Sequence, residues 1–121
     1  METLMFISSG NIRVYLALGH TDMRKAINGL SVLVEGSMQL DPFSGNLFVF
    51  TNRRRNILKI LYWDRNGFCL WQKRLEKDRF RWPDTCDEVL EMDGRELSWL
   101  LEGLDPRSVS GHDRLSYTAL V

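Results

Sequence analysis

A chain of 121 residues is long enough for one well-packed core and too short for two ordinary domains. Hydrophobic residues make up 44% and charged residues 26%, and no apolar run nears the ~18 residues of a membrane-spanning helix, so no such helix is predicted and a water-facing globular protein is expected. The net charge of zero hides a division: residues 11–82 carry thirteen Lys/Arg against six Asp/Glu, whereas residues 83–105 carry one Arg against eight Asp/Glu. Such asymmetry predicts two different contact surfaces.

The opening METLMFISSGN has neither the basic start nor the long apolar stretch of a signal peptide, which predicts a cytoplasmic, nucleoid-associated protein. IRVYLAL (12–18) reads as a short strand ending at Gly19. A helix is expected over 22–36, with Thr21 as N-cap and Met23, Ala26, Ile27, Leu30, Leu33 and Val34 on one buried face. Arg24 and Lys25 then fall in its first turn, where the helix end is already positive, and a bound anion would explain them. Gly29 costs that helix roughly 1 kcal/mol relative to Ala unless it admits a close neighbour.

DPFSGN (41–46) marks a loop, and Leu47–Phe50 a strand. Ile57–Trp63, apolar apart from Lys59, predicts an interior strand, and Asp64-Arg65-Asn66-Gly67 a hairpin turn. Phe68–Leu75 returns as the next strand, and Arg79–Trp82 suggests a short further one. Asp93 and Glu96 have capping-box spacing for a second helix, buried through Leu97, Leu100, Leu101 and Leu104 and ended by Gly103 and Pro106. The predicted fold is α+β: an antiparallel meander of four to five strands packed by one long helix, with a short C-terminal helix. Residues 1–105 are expected to form the domain and 106–121 a flexible tail.

TNRRRNILK puts Arg53, Arg54 and Arg55 in one tight connection, with Lys59 on the following strand. WQKRLEKDRFRWP adds Lys73, Arg74, Lys77, Arg79 and Arg81, interleaved with Trp71, Phe80 and Trp82. Cations track a phosphate backbone and flat rings stack on bases, so the pattern predicts nucleic-acid binding, although each aromatic taken singly reads as core. Asp64 ends an apolar strand and would suit a metal-dependent nuclease only if other acids converged on it; its place in a hairpin turn explains it more simply. Ser8, Ser9 and Ser44 have no histidine at a telling position. Cys69 reads as a buried structural thiol and Cys86 as a loop thiol, and no phosphate-loop, dinucleotide or zinc motif occurs, so no cofactor or metal is expected.

TDMRKAINGL, DPFSGNLFVF, the run from Arg53 to Pro83, and LLEGLD, in that order over about residues 12–105, resemble the small TnpB-type, second-reading-frame accessory protein of the insertion-sequence sixty-six family of bacterial mobile elements. The resemblance implies a helper for transposition with no catalytic residues of its own, working beside a larger DDE-type transposase and another element-encoded helper. Arg24, Lys25, Arg53–Arg55, Lys73 and Arg74 match that family's basic pattern. The third consecutive arginine and the tail beyond Asp105 depart from it. The expected function is therefore a non-catalytic, DNA-binding accessory factor, with oligomerisation left open. The alternatives are a protein-only adaptor to the transposase and, less simply, a small metal-dependent nuclease.

Overall fold

The computed structural model describes residues 11–84 and 89–104. Five strands form one sheet: β1 (Val14–Ala17), β2 (Leu47–Thr51), β3 (Ile57–Asp64), β4 (Gly67–Arg74) and β5 (Val89–Met92), in the order β4-β3-β2-β1-β5. Two helices, α1 (Ile27–Glu35) and α2 (Gly94–Leu101), pack against it, giving the expected α+β fold. Strands β2, β3 and β4 make the antiparallel meander. Strand β1 runs parallel to β2, with Val14 opposite Leu47, because α1 crosses over between them. Strand β5 closes antiparallel on the far side of β1.

Alternation along the strands sends side chains to two cores. Val14, Leu16, Leu47, Val49, Leu58 and Ile60 face Leu97, Leu100 and Leu101 of α2, together with Phe80 and Trp82. Phe48, Phe50 and Leu61 face Leu30 and Val34 of α1, with Met38. The helices therefore cover opposite faces, and β2, at the centre, is buried along its whole length. At about 1.5–3 kcal/mol for each fully buried large apolar side chain, these two layers dominate the stability.

The first helix starts later than its periodicity predicts. Residues 22–25 form a separate turn, in which Lys25 N–H donates to the Asp22 carbonyl at 3.1 Å and Arg24 N–H to Asp22 Oδ1 at 2.9 Å. The expected cap residue, Thr21, instead donates its N–H to the Thr51 carbonyl at 2.8 Å. A helix running through this segment would need the Met23 and Lys25 carbonyls as acceptors for its own N–H groups; both are taken by the Lys59 ammonium, at 2.9 Å each. The first helical bond is that of Leu30 N–H to Ala26, whose side chain offers no cap. Arg24 and Lys25 thus precede the helix, and Ala26 is exposed. The close neighbour at Gly29 is Lys25: an added Cβ would sit 3.2 Å from Lys25 Cβ and Cγ.

The second helix follows its sequence signals. Asp93 accepts from Glu96 N–H at 2.8 Å and donates its own N–H to Glu96 Oε1 at 3.0 Å, completing the capping box. Gly103, at φ 89°, ends it: its N–H reaches the Leu100 carbonyl, and Leu104 N–H reaches that of Trp99. Leu104 lies beyond that turn and is 44% exposed, not part of the buried face.

Residues 79–82 alternate as a strand would, with Phe80 and Trp82 inward and Arg79 and Arg81 outward, but they join no ladder. The fifth strand is Val89–Met92 on the opposite edge, within a stretch whose acidity reads as helix-leading. In the β3–β4 turn the left-handed residue is Arg65 (φ 57°), not Gly67. Cys69 is half-buried opposite Tyr62, and partial burial with a hydrogen bond to Cys69 pushes the Tyr62 phenol up to about 12. Ser8, Ser9, Cys86 and the tail 106–121 lie outside the described residues.

Candidate nucleic-acid interface

The turn carrying three arginines is built by the asparagines on either side of it. Asn52 Oδ1 accepts from the main-chain N–H groups of Asn56 (3.1 Å) and Ile57 (3.0 Å), and Asn52 Nδ2 donates to Asn56 Oδ1 at 2.8 Å. Arg55 N–H closes on the Asn52 carbonyl at 3.0 Å, and Thr51 Oγ1 donates to the Ile57 carbonyl at 2.9 Å. The backbone is thereby fixed, including a left-handed Arg55 (φ 60°), and Arg53 and Arg54 are left exposed at the tip.

Two further segments reach the same end of the sheet. Because β1 is parallel to β2, its exit into Gly19–Ala26 emerges beside the β2–β3 turn, where Thr21 is tied to Thr51 and the Arg53 guanidinium lies 3.4 Å from His20 Nε2. Because β4 is antiparallel to β3, Arg74 lies opposite Ile57 and the chain leaves β4 at this end too. It is anchored by Leu75 N–H to the Asn56 carbonyl (2.8 Å) and Phe80 N–H to the Arg55 carbonyl (2.7 Å). Arg24, Lys25, Arg53, Arg54, Arg55, Arg74, Lys77, Arg79 and Arg81 consequently share one end of the molecule. Sequence separations of up to 57 residues collapse into one cationic surface.

The pairings within this surface are weak. Arg24, 91% exposed, grips the Asp22 carboxylate at 2.7 Å, and this guanidinium holds Asp22 down at about 2. Arg74 and Glu76 meet at 3.1 Å with both side chains exposed. Exposed pairs contribute about 0–1 kcal/mol, so either arginine exchanges readily onto a phosphate. Lys77, Arg79 and Arg81 are exposed. Between the β1–α1 connection and α1 lies a cavity of about 480 Å³ with Phe50 and Met38 in its floor and His20, Asp22 and Lys25 at its rim.

Two of the eleven cations expected at the interface are turned inward. Lys59 is only 7% exposed and donates to the Met23 and Lys25 carbonyls, so the expectation of a phosphate contact there is corrected. Lys59 lies in β3, with α1's core on its face, and strand position decides its direction. Lys73 Nζ donates to the Leu101 carbonyl at 2.9 Å and closes the C-terminus of α2, where a cation complements the helix dipole. Phe80 and Trp82 are core residues, as each taken singly predicts, and cannot stack on bases. Sequence reasoning missed His20 and the two asparagines; the symmetric flanking of three arginines by Asn52 and Asn56 was the available signal.

Asp64 ends β3, exposed, at the hairpin turn of the opposite end, where Asn66 N–H donates to its carbonyl. Among the described residues no three His, Cys, Asp or Glu side chains group closely enough to hold a metal ion, and no helix is long and apolar enough to cross a membrane. Of the acidic stretch, Asp93 and Glu96 serve the capping box and Glu91 pairs with Arg13 at 3.4 Å. Phe43 (56% exposed), Trp63 and Phe68 form a ring cluster at this far end, with centroids 5.0–5.3 Å apart.

Residues 12–111 match the family described as IS66 Orf2 like protein, TnpB_IS66. An uncharacterized protein of Sinorhizobium fredii, y4hO, is 42% identical over 103 residues, covering 85% of this chain and 90% of its own. A second from the same organism, y4jC, is 38% identical over 97 residues, covering 80% and 83%. No solved structure matches. With this match spanning most of its length, the chain belongs to the IS66 Orf2-like, TnpB-type family of accessory proteins of bacterial transposable elements.

Proposed function

We propose that this protein is a non-catalytic DNA-binding subunit of an insertion-sequence transposition complex, which grips duplex DNA with the cationic end of its sheet and leaves the rest of its surface to the transposase. One observation carries the reading: three segments distant in sequence deliver their arginines and lysines to one end, with a rigid turn at its tip. Cations so gathered neutralise neighbouring phosphates and release their counterions.

The test is fluorescence anisotropy on the element's terminal-repeat duplex and on a scrambled duplex across a salt series. Contact with about five phosphates gives a log–log salt slope near −4.5. Tighter binding to the repeat identifies a DNA-reading subunit, and equal binding a non-specific clamp. Replacing Arg53, Arg54 and Arg55 by Glu should abolish retention while the circular dichroism spectrum is kept. Absence of binding at low salt refutes the reading. It would favour a protein-only adaptor, for which exposed Phe43, seated on the half-buried Trp63 and Phe68 rings at the other end, offers an apolar contact.

A further inference from the structure

Strand β4 is one edge of the sheet, and among the described residues no strand pairs with its outer side. Leu75 N–H donates to the Asn56 carbonyl at 2.8 Å, so Leu75 and every second residue before it turn their main-chain groups towards β3. The Asn52 N–H on the Ile57 carbonyl fixes the same phase from the β2 side. Phe68, Leu70, Gln72 and Arg74 therefore hold their N–H and C=O groups outward.

Solvated edges are normally kept short, or carry charge, proline or a bulge that prevents pairing with another chain. The opposite edge, β5, has four residues with Glu91 among them. Strand β4 has eight, pairs with β3 without a bulge, contains no proline and is uncharged from Gly67 to Gln72. Its two charges, Lys73 and Arg74, stand together at one end. Two copies laid side by side in parallel would stack these like charges. Antiparallel copies hold them about 20 Å apart at ~3.4 Å per residue, and set the charged end of each against the uncharged end of the other. On the α1 side of the edge an open cavity of about 670 Å³ lies between residues 24–29 and Leu70, which leaves room for an incoming side chain.

We infer that β4 pairs antiparallel with β4 of a second copy of this chain about a two-fold axis at Trp71, so that the sheet continues across a homodimer. In this register Phe68 lies opposite the partner's Arg74, and Leu70 opposite the partner's Gln72. Each such pair exchanges two bonds, so about eight main-chain hydrogen bonds form and every outward group is used. Trp71 meets the partner's Trp71 in a non-hydrogen-bonded pair, where side chains approach most closely and two aromatic rings stabilise the pairing. Trp71 is half-buried against the core on the α2 side. On the α1 side the guanidinium of the partner's Arg74 comes beside Phe68, which packs with Phe43 and Trp63 in a ring cluster whose π-faces attract a cation.

The test is sedimentation equilibrium of the full chain at about 100 μM, well above a micromolar Kd, with amide exchange read by NMR on the same sample. The expected mass is twice the 14.1 kDa of one chain. The N–H groups of Phe68, Leu70, Gln72 and Arg74 should exchange at least about tenfold more slowly than those of exposed Glu76 and Lys77. Gln72→Pro removes one outward N–H and leaves the β3 ladder whole, so it should give a folded monomer. A monomeric wild type overturns the inference. So does a dimer that persists in folded Gln72→Pro, or one whose outward amides exchange like those of Glu76 and Lys77. A register shifted by two residues leaves Phe68 or Arg74 unprotected, and that pattern overturns the axis at Trp71. Should Gln72→Pro fail to fold, the mass and exchange of the wild type decide. No DNA is present, so none of these outcomes bears on the DNA-binding reading.

Discussion

The buried Lys59 ammonium donates to the main-chain carbonyl of Lys25 at 2.9 Å, so one lysine, spent inside the fold, sets where another is presented outside it. With its second bond to the Met23 carbonyl it holds the turn that carries Arg24 and Lys25 across β3. Lys59→Met keeps the length and packing of the side chain and removes both bonds. The expected cost is about 1–3 kcal/mol in chemical denaturation, from carbonyls left without a donor. DNA affinity should fall with it, although no charge at the surface has changed. A variant as stable as the wild type would show that those carbonyls find other partners.

Asn52 stands in the same relation to Arg53 and Arg54. Its side chain takes two main-chain N–H groups, those of Asn56 and Ile57, and no other acceptor serves the turn so directly. Asn52→Ala should destabilise the protein by about 1–2 kcal/mol. It should also weaken duplex binding by roughly fivefold, since about 1 kcal/mol of ordering then falls on the complex. The salt slope should stay as it is, because the cations are all present. A changed slope would mean that the arginines had been removed from the surface rather than loosened.

Asp22 works against the proposed interface by occupying Arg24. Asp22→Asn keeps the oxygen that accepts the Arg24 N–H, so the turn survives, but it frees the guanidinium. Affinity for DNA should rise, and the salt slope should become more negative by about 0.9, equivalent to one added phosphate contact. In the wild type the carboxyl, held at about 2 against an ordinary 3.8, stays ionised in any neutral buffer. The contribution of the pair to stability is therefore present above pH 3.8 and is lost as the pH falls through about 2, by the sign that applies to any depressed carboxylate. An unchanged slope for Asp22→Asn would place Arg24 outside the contact.

Much of this was legible in the residues, and the misses share a cause. Both helices, the meander and the basic loop follow from local periodicity and turn chemistry, which act within a few residues. The parallel placement of β1 does not, because it depends on where α1 lays the chain down. The late start of α1 depends on Lys59, more than thirty residues away. Arginines and lysines identify a cationic surface by composition, but only pairing register shows that Lys59 points into a core and Lys73 to a helix end. The alternation at 79–82 was real, yet it recorded inward packing of Phe80 and Trp82 and not a ladder.

Lys73 and Lys77, four residues apart and alike in sequence, should therefore behave differently. Lys73 Nζ closes the last turn of α2 on Leu101, while Lys77 is exposed in the segment beyond β4. Lys73→Met should cost about 0.5–1.5 kcal/mol of stability, for the hydrogen bond and the helix-end charge together. Its effect on the salt slope should be nil. Lys77→Met should leave stability within about 0.5 kcal/mol of wild type. It should also make the salt slope less negative by about 0.9, as one phosphate contact is lost. Denaturation and anisotropy on the two variants in parallel separate the roles. If Lys73→Met changed the slope while α2 kept its stability, the Leu101 contact would be the incidental one, and Lys73 would join the surface that grips DNA.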